Sequence, residues 1–241
     1  MQPVQQGTVQ GQQVTQEPIR RRISNFLAHM VTRFRIVLLV VLIAAAAFLV
    51  SYFVYDQVNR KLATSATVLS ERAEDLYGQW QGQSDVTKKA TIEKDLLDQL
   101  GKVISRYPRQ YGAERGLFIR AELSYDKKTW DAALADYKTL AARFPKSYLA
   151  PISLFNAAIC LEEKGDAENA EKLYVQAYTD YKDSTVAPRA IFNAGRLDEA
   201  KGAWADAQKK YEQMDTLYSQ SVWTKLAKNR LVELKVMGKT K

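Results

Sequence analysis

Arg189 and Arg196 stand seven residues apart in the stretch "APRAIFNAGR", two turns of a helix and therefore one face of it. Two guanidinium groups so placed can receive a carboxylate through charge-assisted hydrogen bonds. That is binding chemistry, and the chain offers little of the reactive kind. His29 is the only histidine and Cys160 the only cysteine. Imidazole catalysis, His/Cys zinc sites and an internal disulfide are thereby excluded. Cys160 lies in the apolar run "FNAAIC", where the expectation is a buried, inert thiol. No Gly-rich phosphate loop and no G-x-S-x-G element occurs. Asp166, Glu168, Glu171 and Asp183 fall at turn or outer-face positions and read as solvated charges. The expectation is a protein that is not an enzyme, with no cofactor and no metal.

Charge narrows the partners. The net charge is +8, but residues 1–35 carry five Arg against one Glu, and residues 222–241 carry five Lys and one Arg against Glu233. The excess therefore sits at the two ends, unlike the basic folded surface of a nucleic-acid binder. From Ile36 to Tyr55, "IVLLVVLIAAAAFLVSYFVY" runs twenty residues without a charge. At about 1.5 Å per residue that spans about 30 Å, the thickness of a bilayer core. Arg20, Arg21, Arg22, Arg33 and Arg35 precede the span, so the positive-inside rule places residues 1–35 in the cytoplasm and the remainder outside it. A cleaved signal peptide ending at Ala44–Ala47 is the competing reading, but Phe48–Tyr55 continue the apolar run past that site. The segment reads as a signal anchor.

Before the span, Ile23, Phe26, Leu27, Met30, Val31 and Phe34 recur at steps of three and four, with the arginines elsewhere on the helix. This predicts either a basic amphipathic helix lying on an anionic leaflet or an extension of the spanning helix. Residues 1–19 are rich in Gln and poor in large apolar side chains, which predicts disorder.

Beyond the span the chain repeats itself. "YLAPISLFNAA" from Tyr148 recurs as "TVAPRAIFNAG" from Thr185, 37 residues on. Ala133, Ala170 and Ala207 fall in this register, as do Tyr137, Tyr174 and Tyr211, and Phe118, Phe155 and Phe192. The turns "KKTWDAA", "KGDAENA" and "KGAWADA" align as well. Each unit predicts a helix, a short turn and a second helix, stacked as a solenoid.

These positions resemble the tetratricopeptide repeat, in which small residues let paired helices approach and aromatics fill the space between pairs. Ala121, Ala133, Tyr137 and Pro145 take the places of the pattern, then Ala158, Ala170 and Tyr174, then Gly195, Ala207 and Tyr211. The period of 37 departs from the family's 34, and the last two units lack the terminal Pro. The resemblance implies an all-α solenoid that binds peptides or proteins, with the first helices of the units lining its concave face. There it would show Arg115, Glu122, Tyr125, Asn156, Arg189, Asn193 and Arg196. Asn156 and Asn193 also fit a structural role, bonded to neighbouring backbone. The paired Lys-and-Asn clamp of chaperone-binding repeats is not recognisable.

Leu62, Ala66, Leu69, Ala73, Leu76 and Trp80 form a stripe that either packs on residues 88–107 or joins two chains in a weak homodimer through Leu62, Leu69 and Leu76. Residues 222–237 predict a last helix with Trp223, Leu226, Leu231 and Leu234 inward. The expected order is a disordered cytoplasmic tail (1–19), a juxtamembrane segment (20–35), a transmembrane helix (36–55) and a helical stem with a degenerate repeat (56–112). Three repeats (113–221) and a basic cap (222–241) follow. This layout is similar to the ancillary subunit of the bacterial Sec translocon, and also to periplasmic collar scaffolds of spirochaete flagellar motors. The first resemblance implies a chaperone-like factor that assists proteins emerging from the membrane and the second a structural scaffold; both imply an inner-membrane protein whose solenoid binds other envelope proteins outside the cytoplasm.

Overall fold

The computed structural model describes residues 17–240, and among them the chain is helical without strands. The expected tail lies outside the described residues as far as residue 16, and helix α1 (Glu17–Gly82) begins at its end. Then come α2 (Val86–Arg106), α3 (Tyr111–Asp126), α4 (Trp130–Arg143), α5 (Leu149–Glu163), α6 (Ala167–Asp180), α7 (Ala187–Lys201), α8 (Trp204–Leu217) and α9 (Val222–Val236). The chain divides into two compact units, residues 1–59 and 60–241.

In the first unit α1 carries a stretch of mean hydropathy 2.9, none of it buried. It is long and apolar enough to cross a membrane. The basic segment, the apolar run and the start of the stem form one unbroken helix.

In the second unit sequence-adjacent helices pack as pairs, and the 37-residue register becomes three-dimensional. Ala133, Ala170 and Ala207 are fully buried, and Tyr137, Tyr174 and Tyr211 are each 1% exposed. Each tyrosine rests against a phenylalanine of its own first helix. The ring centroids lie 5.9 Å apart for Phe118–Tyr137, 5.2 Å for Phe155–Tyr174 and 5.6 Å for Phe192–Tyr211. The turn between paired helices needs one left-handed residue. Gly165 and Gly202 supply it at φ 78° and 77°, whereas Lys128, in the same register, adopts φ 58° at a cost of about 1–2 kcal/mol.

The stem stripe is used inside the chain. Ala73 and Trp80 form a core with Leu96 and Leu100 of α2 and Ile119 and Leu123 of α3, and Leu76 is packed against it. Of the three leucines named for a homodimer, Leu62 is exposed while Leu69 and Leu76 are partly covered. The terminal helix α9 docks through Ala227 and Leu234, with Trp223 and Leu231 beside them, on Ile191, Ala207, Tyr211 and Met214. Leu226, expected inward, is 41% exposed. The inward face of α9 is centred one residue later, on Ala227, because a small side chain lets the cap approach α8.

Where α3 begins, Gly112 lies against α1. A Cβ there would meet the Ala66 carbonyl oxygen at 2.2 Å and the Ala66 Cβ at 2.9 Å. The obstacle is backbone, so no side-chain rotation relieves it. Gly112→Ala should lower stability by about 1–3 kcal/mol, read from urea unfolding of the detergent-solubilised chain by far-ultraviolet circular dichroism. An unchanged midpoint would show that the stem is not held against the first repeat.

Candidate protein-binding face

The first helices of successive units, α1, α3, α5, α7 and α9, are tied by one repeated device. A carboxylate on one first helix accepts hydrogen bonds from a side chain on the next. Arg115 donates to Glu74, Asn156 to Glu122 at 3.1 Å, Arg196 to Glu162 and Arg230 to Glu199. Three of these carboxylates also accept the hydroxyl of a buried tyrosine. Tyr137 donates to Glu122, Tyr174 to Glu162 at 2.6 Å and Tyr211 to Glu199. Each of these three rungs thus satisfies a phenol that packing has buried, which would otherwise cost about 1–3 kcal/mol. Burial, and after it the carboxylate bond, push all three phenols above their ordinary value of 10.

Glu162 and Glu199 are 37 residues apart, but the same slot in the first repeat is Tyr125. The acceptor has moved back one helical turn to Glu122, on the same face. Tyr125 instead packs edge-on to Trp130, with centroids 5.1 Å apart. Glu199 is 7% exposed. Burial would raise its pKa, but hydrogen bonds from Arg230 and Tyr211 outweigh burial and hold it below the ordinary 4.5.

The structure thus gives internal partners to all seven residues expected in the groove. Arg115 bonds Glu74 and the Tyr111 hydroxyl at 3.1 Å. Glu122, Asn156 and Arg196 are members of rungs, and the Asn193 Oδ1 accepts from the Arg196 Nε at 3.3 Å. The asparagines are structural, though they bond side chains and not the expected backbone. Arg196 is corrected from a free groove residue to an interhelix tie. Arg189 is different. Its guanidinium lies 4.7 Å from the Phe155 ring centre and 5.4 Å from that of Trp223, and among the described residues no carboxylate pairs with it. Its side chain is exposed. The two arginines of α7 thus have different surroundings, a carboxylate for Arg196 and rings for Arg189.

On the other side of α7, Lys210 donates to Asp198 and to Glu171, and Lys201 also donates to Glu171. Glu171, expected to be solvated, is a partly buried member of this cluster. Burial opposes its ionisation, but the two lysines outweigh burial and lower its pKa. Burial raises the pKa of Asp198 against the pull of Lys210. Cys160 is fully buried, and burial pushes its thiol up to about 11, so it is the inert core residue that was expected.

A family model described as "Tetratricopeptide repeat" matches residues 153–184, which cover most of α5, all of α6 and the turn after it. The repeats are tetratricopeptide-like. No curated protein matches the chain. Tetratricopeptide-like solenoids are protein-interaction modules, and the ladder shows how this one holds its first helices in register. Sequence reading missed the rungs, although a signal existed: Tyr174 follows Glu162 by twelve residues, and Tyr211 follows Glu199 by the same distance.

Because the folded pKa of Glu199 lies below its unfolded value, its contribution is complete above about pH 4.5 and disappears as pH falls through the folded value. Glu199→Gln should cost about 1–3 kcal/mol at neutral pH, since Arg230 keeps some water. The deficit relative to the wild type should shrink below pH 4.5, as followed by thermal melts over pH 3–7. A deficit that stays constant across that window would show that the rung does not act through its charge.

Proposed function

We propose that the chain is a membrane-anchored adaptor or scaffold that binds other envelope proteins through its helical solenoid and performs no catalysis itself. The apolar part of α1 is the anchor, in an inner membrane, with its N-terminal side in the cytoplasm and the repeats outside. The five arginines before the apolar run support that orientation. A reporter active only outside the cytoplasm should work when fused after Lys241 and fail when placed ahead of the span. Activity of the second fusion would reverse the orientation.

Arg189 is the observation that carries the binding role. The guanidinium rests on the Phe155 and Trp223 rings, and the residue is exposed, so its hydrogen-bond donors remain accessible. A guanidinium fixed this way loses less freedom on meeting a carboxylate than a solvated one does. The fitting partner is a protein that presents an acidic side chain or C-terminal carboxylate. Arg189→Glu should change stability by no more than about 1 kcal/mol, the worth of an exposed cation–π contact. It should weaken partner capture at least about tenfold, because one charge-assisted contact is lost and a repulsive one added. Co-purification of the full chain in mild detergent, quantified for the wild type and Arg189→Glu, tests this. Equal yields of the same partners would move docking off this face.

A further inference from the structure

Helix α1 exposes more apolar surface than a bilayer core can cover. From Ile23 to Tyr55 the apolar positions extend over about 50 Å of helix at 1.5 Å per residue, against a hydrocarbon thickness of about 30 Å. If residues 36–55 fill the core, the segment before them lies outside it with large side chains uncovered. Ile23, Phe26, Leu27, Met30, Val31 and Phe34 are exposed by between 49% at Val31 and 68% at Phe34. At 100° per residue these six fall within an arc of about 140°, while Arg21, Ser24, Asn25, His29, Thr32 and Arg35 occupy the opposite side. Arg22 and Arg33 flank the apolar arc on one side, while Arg20 falls just inside its other edge, about one turn before Ile23. No acidic residue occurs between Arg20 and Tyr55.

We infer that residues 20–35 form a second interaction surface, which lies in the headgroup layer of the cytoplasmic leaflet and binds anionic phospholipid. The apolar arc sinks to the boundary of the acyl chains, and the arginines at its edges reach the phosphates. Charge selects this occupant. A second copy of the same helix would bring five arginines against five, whereas an anionic leaflet supplies the opposite sign without further protein. On this reading α1, continuous through Arg35 in the structure, bends at a bilayer surface where the charged segment meets the apolar run. The inference rests on residues 36–55 being the anchor.

The test places an environment-sensitive nitrobenzoxadiazole label at Phe26→Cys or at Leu42→Cys in the full chain, with Cys160→Ala as background. The protein is reconstituted in nanodiscs of phosphatidylcholine alone or mixed with phosphatidylglycerol. The Leu42 label should emit as a lipid-buried probe in both. The Phe26 label should shift to the blue when phosphatidylglycerol is added, and Arg20→Gln, Arg21→Gln and Arg22→Gln together should reverse at least half of that shift. The same triple variant should retain phosphatidylglycerol over phosphatidylcholine at least about tenfold less well. A buried Leu42 label beside a water-exposed Phe26 label in both lipids overturns this inference and leaves the anchor standing. A Phe26 label shielded equally in both lipids overturns it in favour of a second copy of the helix. A water-exposed Leu42 label overturns the anchor and this inference together.

Discussion

A buried tyrosine hydroxyl must have a partner, and in this solenoid that requirement organises the rest. Ala133, Ala170 and Ala207 bring paired helices close enough to seal Tyr137, Tyr174 and Tyr211, and sealing a phenol obliges the fold to place an acceptor beside it. Glu122, Glu162 and Glu199 are those acceptors. A carboxylate drawn towards the interior is costly in turn unless it is paired. Asn156, Arg196 and Arg230, each from the following first helix, do the pairing. Packing within one unit thereby dictates a polar contact with the next, and the stacking of units follows from local chemistry.

The same logic explains why groove residues inferred from pattern alone are poor candidates for ligand binding. A charged side chain on the inner face of a first helix stands within reach of a neighbour that already needs a counter-charge. Arg115, Arg196 and Arg230 are taken up this way. Arg189 escapes because the groups beside it are rings, Phe155 and Trp223.

The helical repeat, its register and its turn positions were legible in the sequence because each depends on local spacing. The 37-residue echo places α3 to α8 within a few residues, and the aligned turns place the left-handed residues, including the non-glycine Lys128. The inward role of Ala73 and Trp80 followed from the same periodicity, although the residues of α2 and α3 that they meet did not. The roles of Arg196 and Glu171 were not legible. Whether a charge is solvated or paired depends on residues 30 or more positions away, and spacing along one helix carries no information about them. The shift of an acceptor from the Tyr125 slot to Glu122 hid the ladder further, because it breaks the period in one unit of three.

The ladder also has a direction. In every rung the carboxylate precedes its donors along the chain: Glu74 before Arg115, Glu122 before Tyr137 and Asn156, Glu162 before Tyr174 and Arg196, and Glu199 before Tyr211 and Arg230. Ribosomes release a chain from its N-terminus. Each emerging helix therefore meets an acceptor that has already been made, and no acceptor waits on a donor more than about 40 residues behind it. Vectorial emergence and assembly run the same way, so the array can grow one unit at a time with a single unfinished edge.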